Sequence, residues 1–314
     1  MATQQLQLVC DSSTLVNFKA WAQPISDWMR SVGYNNTSDT GQLNGAGGGD
    51  AGWNALSSVP GSGAFFYEIF KSGSSITPAF YVKLEYGNVS GTNCPSIRIS
   101  IGTGTNGAGT LTGYFTPATN TNASSFTTPS TTTQYECDFS GDSATDRVCI
   151  MMWRNGTNSC QQFFAIQRSL NSSGGATGSY VSLWTCGNGN RGIQQTVVFS
   201  VGIAPPISCG QSGTVAGVSN VTQAMSCRAP ASGNIYGLQF SGSIPFDCCS
   251  PVIGYWDNEC TVVGSGDETQ MSEGVTFTVM MYGVSKTYIP SKAGPFAYFA
   301  NAGGSNGILC MEYD

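Results

Sequence analysis

The sequence contains no histidine among its 314 residues. Histidine is the usual general base of Ser-His-Asp and Cys-His catalysis, and it is a ligand in nearly all catalytic zinc sites. Its absence excludes these classes of enzyme. Paired carboxylates are the catalytic groups that remain, as in glycoside hydrolysis.

Charged side chains are also scarce, since Asp, Glu, Lys and Arg make up 10% of the residues, whereas about a quarter is usual. Gly, Ser, Thr and Asn occupy the polar positions, and 11% of the residues are aromatic. This composition is not that of a disordered chain; it suits a β-rich extracellular or particle-bound protein. The net charge of -6 would repel a phosphate backbone, so we expect no nucleic-acid partner.

Long apolar runs are missing as well. No stretch approaches the roughly 18 consecutive apolar residues of a membrane helix, so we expect no membrane insertion. Residues Met1–Leu8 carry neither a basic cluster nor an apolar run, which predicts that the chain has no secretory signal.

Twelve cysteines are present, and none lies in a CxxC pair, which disfavours a zinc site made of cysteines alone. Three pairs have spacings that suit disulfides between strands or across loops: Cys149 with Cys160, Cys209 with Cys227, and Cys249 with Cys260. The alternative of reduced, buried thiols is equally open, and the apolar strands around Cys149 and Cys310 fit it.

The strongest helix signal lies between Asp11 and Tyr34. Its apolar residues recur every three or four positions and so form one stripe: Leu15, Phe18, Trp21, Ala22, Ile25, Trp28, Met29 and Val32. We expect Asp11 or Ser12 to cap the start and Gly33 to follow the end. Pro24 should kink or break the helix in the preceding turn. The stripe needs an apolar surface, so we predict a helix packed on a β-sheet.

Most other segments alternate apolar and polar residues with the period of a β-strand, and short connections rich in Gly, Ser and Asn favour antiparallel neighbours. The first meander comprises Ala64–Lys71, Ala79–Tyr86 and Ser96–Ile101. The second comprises Arg147–Arg154, Gln161–Arg168, Tyr180–Thr185 and Gln194–Ile203. In the first, Lys83 shares a face with Glu85 and Arg98 shares one with Ser100, which predicts the wetter side of that sheet.

The last third of the chain is less periodic. Its candidate strands are Gly237–Phe240, Val252–Trp256, Val275–Tyr282, Thr287–Ile289, Phe296–Phe299 and Ile308–Tyr313. Ala204-Pro205-Pro206 is the best internal boundary, which gives an N-terminal helix plus antiparallel β domain over 1–204 and a C-terminal β-rich region over 205–314. The predicted fold class is α+β, predominantly antiparallel β, with one N-terminal amphipathic helix packed on β-sheet and further β-sandwich-like structure after it.

The long segment Gly102–Thr133 consists almost entirely of Gly, Thr, Asn, Ser and Ala with a few apolar residues. It has no Lys-Ser/Thr ending and no following helix, so it does not fit a phosphate-binding loop. A loop of this length is usually functional or ordered against a neighbouring subunit.

Few carboxylates stand out as candidates for chemistry. Asp257 with Glu259, and Glu68 with Glu85, are the pairs that a glycan-cleaving enzyme could use, although solvated strand residues are the simpler explanation. Nothing in the sequence distinguishes either pair from the other carboxylates, so we assign no catalytic residue.

Asp138, Asp142 and Asp146 are spaced four apart and could belong to a calcium loop, but they lack the ligand order of an EF-hand. A polar loop before a strand is the simpler reading. We assign no metal site and no cofactor.

The six tryptophans fall into two groups. Trp21 and Trp28 lie on the helix stripe, while Trp153 and Trp184 lie on strands, so we expect these four in the core. Trp53 and Trp256 lie beside Gly-rich turns and are the candidates for exposed, ligand-contacting aromatics.

Two blocks of the sequence carry a resemblance to a known family. The first block is Cys10-Asp11-Ser12, Phe18-Lys19-Ala20-Trp21, Trp28, Gly33-Tyr34 and Thr37-Ser38-Asp39-Thr40-Gly41-Gln42. The second is Tyr67-Glu68-Ile69-Phe70-Lys71, Pro78, Val82-Lys83-Leu84-Glu85-Tyr86-Gly87, Ile97, Gly102-Thr103-Gly104 and Gly107-Ala108-Gly109-Thr110-Leu111-Thr112-Gly113. Together they resemble uncharacterised virion proteins of tailed bacteriophages. The resemblance covers about the first 200 residues, and its residues define a fold and not a chemistry.

The resemblance implies a non-enzymatic structural protein of the tail, fibre or capsid surface that acts by self-assembly. Its partners would be itself, in a symmetric homo-oligomer such as a trimer, and other virion proteins. It would assemble in the host cytoplasm and leave by lysis, which agrees with the missing signal. One alternative is a tip module that binds a host-surface glycan or receptor, and the other is a carboxylate-dependent glycan-cleaving enzyme.

Overall fold

The structure is a computed structural model that describes residues 2–9, 12–46, 49–88, 95–112, 134–154, 162–170, 176–188, 192–201, 207–209, 260–264, 276–281, 284–290 and 307–313. The chain forms two compact units. The first unit comprises Met1–Gln5, Asp138–Gly141 and Arg147–Asp314, and the second comprises Leu6–Cys137 and Asp142–Asp146. Residues 202–206 are outside the described residues, so the boundary between 204 and 205 stays a prediction.

The described residues are mostly antiparallel β-structure with one long helix, which confirms an α+β class dominated by strands. The helices are α1 (Leu15–Ser31) and α2 (Ala51–Ala55). The strands are β1 (Ala2–Val9), β2 (Asn35–Asn36), β3 (Phe65–Lys71), β4 (Tyr81–Asn88), β5 (Pro95–Gly102), β6 (Gly104–Thr105), β7 (Leu111–Thr112), β8 (Gln134–Asp142), β9 (Arg147–Arg154), β10 (Gln162–Leu170), β11 (Ala176–Asn188), β12 (Gly192–Val201), β13 (Ile207–Cys209), β14 (Cys260–Gly264), β15 (Phe277–Met281), β16 (Val284–Pro290) and β17 (Gly307–Glu312).

Helix α1 begins later than expected. The side chain of Thr14 caps it by accepting a hydrogen bond from the backbone N–H of Asn17 at 3.2 Å. The expected cap at Ser12 is wrong, because this residue is buried and its hydroxyl instead accepts a hydrogen bond from the Trp21 indole at 3.3 Å. Asp11, the other expected cap, lies outside the described residues.

The end of α1 agrees with the prediction. Gly33 has a φ of 92°, in the left-handed region that suits glycine. Its N–H donates to the carbonyl of Arg30 at 3.0 Å, and the N–H of Tyr34 donates to the carbonyl of Met29 at 3.0 Å. This pair of bonds is a Schellman motif. Pro24 lies inside the helix, which continues through it without the predicted break.

In the second unit, β2, β3, β4 and β5 form a four-stranded sheet in chain order. The register pairs Lys83 with Ser100 and Glu85 with Arg98, so these four side chains share one face. All four are partly exposed, while Val82, Leu84 and the three isoleucines of β5 on the opposite face are buried. The prediction of the wetter face is therefore confirmed.

The buried face of this sheet is covered by α1. Phe18 packs edge-on against Phe66 with ring centroids 5.9 Å apart, and Trp21 packs against Tyr86 at 6.4 Å. The helix stripe and the apolar side of the sheet form one aromatic core, which confirms that α1 packs on a β-sheet.

Strands β6 and β7 form a two-stranded sheet, and the remaining strands form a seven-stranded sheet in the order β1-β8-β9-β10-β11-β12-β13 and a four-stranded sheet in the order β14-β17-β16-β15. The strands predicted in the second meander correspond to β9–β12, with ends that differ by a few residues. Three predicted strands of the last third correspond to β15–β17, whereas Gly237–Phe240, Val252–Trp256 and Phe296–Phe299 lie outside the described residues. The β-sandwich-like arrangement stays a prediction.

Three longer strands, β1, β8 and β14, were absent from the sequence-based expectation. Strand β8 carries three acidic residues, which are poor strand formers. Among the described residues, neither helix has the length and apolar character needed to cross a membrane.

Candidate functional site

A group of polar side chains in the second unit surrounds Glu68, on the face of β3 beneath α1. Glu68 has 0% of its surface exposed, which is rare for a carboxylate. We name this group the Glu68 cluster, and its members are Ser26, Asp27, Arg30, Asn36, Asn44, Asp50, Trp53, Glu68 and Tyr86. Helix α1, the segment that leads into α2, and strands β2, β3 and β4 all contribute to it.

The hydrogen bonds to Glu68 converge on one of its two carboxylate oxygens. Its Oε1 accepts from Asn44 Nδ2 at 2.8 Å and from Asn36 Nδ2 at 3.2 Å. Arg30 Nη1 approaches the same oxygen at 3.4 Å. The second oxygen, Oε2, is buried and makes no hydrogen bond of ordinary geometry within the described part of the chain, and the same holds for the hydroxyl of Tyr86.

Arg30 divides its donors among several acceptors. Its Nη1 donates to Ser26 Oγ at 2.7 Å, and its Nη2 donates to Asp50 Oδ1 at 2.8 Å and also to Asp27. The side chains of Asp27 and Asp50 are 50% and 42% exposed. The guanidinium therefore already has two carboxylate partners besides Glu68.

Burial dominates the electrostatics of the cluster. It raises the pKa of Glu68, outweighing the nearby Ser26 hydroxyl, the Asn44 amide and the charge of Arg30. Burial also raises the pKa of Tyr86 well above its ordinary value, and the charge of Glu68 adds to that increase. The pKa of Asp27 is raised, again chiefly by burial, although Arg30 opposes the change.

The sequence pattern contained a signal for this site. Phe66, Glu68 and Phe70 are spaced two apart and so lie on one face of the strand. A carboxylate between two aromatic residues on one face indicates a buried acid. The partners Ser26, Arg30, Asn36 and Asn44 were not identified from sequence, since they come from separate segments that only the fold brings together.

Glu68 and Glu85 do not form the carboxylate pair considered from sequence. The register of β3 and β4 pairs Glu68 with Leu84, and Tyr67 with Glu85. Because opposite residues share a face, the two glutamates point to opposite sides of the sheet. Glu85 instead lies 3.4 Å from Lys83 Nζ on the wetter face.

The other predicted residues fall into separate places. Asp138 is buried and accepts a hydrogen bond from Gln5 at 2.9 Å in the first unit. In the second unit, Asp142 accepts from the N–H of Ala144, and Asp146 accepts from the N–H of Ser74 at 2.8 Å. No group of three or more Cys, Asp or Glu residues in the described ranges could hold a metal ion.

Trp53 is not exposed, and this expectation is wrong. It has 0% of its surface accessible, and its ring lies 5.4 Å from that of Tyr86. Its indole N–H donates to Ser26 Oγ at 3.4 Å. Its helix, α2, packs against the core, so the Gly-rich sequence beside Trp53 was a poor indicator of exposure. Trp256 lies outside the described residues, as do Asp257 and Glu259.

The predicted disulfides remain predictions. Cys149 is buried on β9, opposite Ala165 of β10. Cys209 lies on β13 and Cys260 on β14. Their proposed partners, Cys160, Cys227 and Cys249, lie outside the described residues.

A second polar site joins two loops of the second unit around Asp39, which is 4% exposed. Its carboxylate accepts hydrogen bonds from the hydroxyls of Thr37, at 2.7 Å, and Thr105, and from the N–H of Gly109 at 2.9 Å. Burial tends to raise the pKa of Asp39, but these hydrogen bonds outweigh it and lower the pKa. Asp39 therefore fastens the loop after β2 to the β6–β7 hairpin.

Replacing Asp39 with asparagine is expected to lower the free energy of unfolding at pH 7 by about 1–3 kcal/mol, because the amide nitrogen cannot accept a hydroxyl hydrogen bond. A carboxylate whose pKa is lowered by folding stabilises above its unfolded pKa of 3.8 and loses that contribution as the pH falls through its folded pKa. Urea denaturation at pH 7 and at pH 3 measures this, and an equal loss at both pH values would contradict it.

The comparisons with known proteins supply no relative for this chain: no family model, no curated protein and no solved structure matches it.

Proposed function

We propose that this chain is a non-enzymatic structural component of a tailed-bacteriophage virion, in the tail, a fibre or the capsid surface, and that it acts through self-assembly. The proposal begins from the sequence resemblance. The observation that carries it further is that the resembling residues in the described ranges hold the second unit together.

Three of these residues are in the aromatic core, since Phe18, Trp21 and Tyr34 are 0–2% exposed. Asp39 joins two loops, and Glu68 joins α1, β2 and the segment before α2. Residues that maintain a scaffold are what a structural protein shares with its relatives. A shared catalytic centre would instead place polar groups at an accessible surface.

The two alternatives have less support from the described residues. Burial of Trp53 removes one of the two aromatics considered for glycan binding. The opposite orientation of Glu68 and Glu85 removes one of the two carboxylate pairs considered for glycan cleavage. Trp256, Asp257 and Glu259 lie outside the described residues. Glycan binding and glycan cleavage therefore remain possible outcomes of the test below.

The test is the molar mass of the purified chain by size-exclusion chromatography with light scattering, followed by electron microscopy of the same fractions. We expect a discrete homo-oligomer such as a trimer, a ring or a filament, since a virion component of this kind must associate with its copies. A monodisperse monomer across the accessible concentrations would overturn self-assembly. A glycan-array screen, with Trp256→Ala and Glu259→Gln as variants, would then separate binding from cleavage.

A further inference from the structure

The Glu68 cluster is placed to respond to pH in a chain that has no histidine. Without histidine, a response between pH 5 and 8 must come from groups whose surroundings move them into that range. Three elements bring charged or titratable groups to Glu68. Helix α1 brings Arg30 and Asp27, the residue before α2 is Asp50, and β4 brings Tyr86.

A count of charges favours an uncharged Glu68. Arg30 Nη2 contacts Asp50 at 2.8 Å and also Asp27, whereas Glu68 Oε1 is 3.4 Å from Nη1. If all three carboxylates were ionised, one guanidinium would balance only one of them, and an excess charge would lie in the core. A neutral Glu68 leaves the remaining negative charge on two half-exposed aspartates, where water screens it.

The hydrogen bonding agrees with this assignment. The donors from Asn36, Asn44 and Arg30 converge on Oε1, whereas Oε2 is buried and makes no hydrogen bond of ordinary geometry within the described residues. An ionised carboxylate shares its charge between both oxygens, so part of that charge would lie in the interior without a partner. A protonated Oε2 carries no such charge.

Helix α2 depends on this cluster through three contacts. Asp50, its N-cap residue, pairs with Arg30. The N–H of Gly52 donates to Asn44 Oδ1 at 3.0 Å, and the amide of Asn44 donates to Glu68. The third contact is the bond from Trp53 to the Ser26 hydroxyl described above.

We propose that Glu68 is a neutral carboxylic acid in the folded protein and that its proton controls how firmly α2 is held against the sheet. Loss of the proton places a new charge beside Asp50 and draws Arg30 towards Glu68, so the contact between Arg30 and Asp50 weakens and α2 loosens. The direction of the Glu68 pKa supports this assignment, since burial raises it. The inference does not depend on the proposed virion function.

The sign of the effect on stability follows from linkage. A group whose pKa is raised by folding adds stability below its unfolded pKa of about 4.5 and loses it as the pH rises through the folded pKa. The wild-type protein should therefore lose stability relative to Glu68→Gln, a permanently neutral near-isostere, as the pH rises above about 4.5.

Hydrogen–deuterium exchange of peptides covering α2 tests the proposal between pH 5 and 8, after correction for the intrinsic exchange rate. We expect protection to fall at least threefold with rising pH in the wild type and to stay constant in Glu68→Gln. Glu85→Gln is the matched control, because Glu85 lies on the adjacent strand but on the wetter face, and it should behave like the wild type. A wild type without pH dependence, or a Glu68→Gln variant that retains it, overturns the proposal.

A second measurement needs no variant. The side-chain carboxyl carbons of the wild-type protein, labelled at glutamate, report each titration by nuclear magnetic resonance. We expect one glutamate to titrate clearly above pH 4.5. If all glutamates titrate at or below that value, the neutral Glu68 is refuted, even if Glu68→Gln does not fold.

Discussion

Replacing Trp53 with alanine is expected to lower the free energy of unfolding of the second unit by about 3–5 kcal/mol. Trp53 is fully buried, and its ring packs 6.1 Å from Phe18 and 5.4 Å from Tyr86. Truncation leaves a cavity between α1, α2 and β4, and it removes the donor to Ser26 Oγ. The loss is large because the cavity lies among rigid aromatic rings that cannot collapse into it.

Urea denaturation followed by far-ultraviolet circular dichroism measures this loss, and Val16→Ala is the control. Val16 lies on the same unit but is 76% exposed, so its truncation should change stability by less than about 0.5 kcal/mol. The experiment also separates two roles for Trp53. A residue that only contacts a ligand would leave the unfolding transition unchanged, and that outcome would contradict its position in the core.

Replacing Gly52 with alanine is expected to cost about 3 kcal/mol, since overpacking beside rigid backbone is at the upper end of such effects. A Cβ at this position would lie 1.3 Å from the carbonyl oxygen of Leu43. The clash involves backbone on both sides, so no side-chain rotation relieves it. Alanine favours a helix by about 1 kcal/mol over glycine, and the predicted loss therefore runs against intrinsic propensity.

Gly45→Ala is the matched control for Gly52→Ala. Gly45 belongs to the same Gly-rich stretch, but a Cβ there would meet no atom within 4 Å, so we expect a change of less than about 1 kcal/mol. The two variants are compared by thermal unfolding and by exchange of α2 peptides. Gly52→Ala should expose α2 to exchange, because separation from Leu43 also breaks the bond from Gly52 to Asn44. Equal stability of the two variants would show that α2 does not pack as described.

The local details of α1 show where sequence reasoning stops. The stripe and the terminal Gly33 followed from periodicity and from the backbone freedom of glycine, and both are confirmed. The N-cap was misplaced because several capping residues occur before the helix. Ser12 was taken up by a tertiary contact with Trp21, which left Thr14 as the cap.

The arrangement of the buried polar residues depends on contacts between distant segments, which no local sequence pattern predicts. Glu68 lies on the same face as Phe66 and Phe70, and the sequence specified that placement. Its polar contacts depend on Arg30, 38 positions earlier in the chain, and on Asn36 and Asn44. These residues are ordinary in their own segments and become a site only when α1 and β2 pack beside β3.

The sequence alone determined the class of fold, the helix that covers the first meander and the face of that sheet which water reaches, because each follows from a period of 3.6 or 2 residues. It also excluded histidine-dependent chemistry. Only the tertiary structure decided that Trp53 is in the core and that Glu68 and Glu85 point apart. It also decided that Glu68 shares Arg30 with Asp27 and Asp50. Burial and charge pairing are set by contacts between distant segments, and a period along the chain carries no information about those contacts.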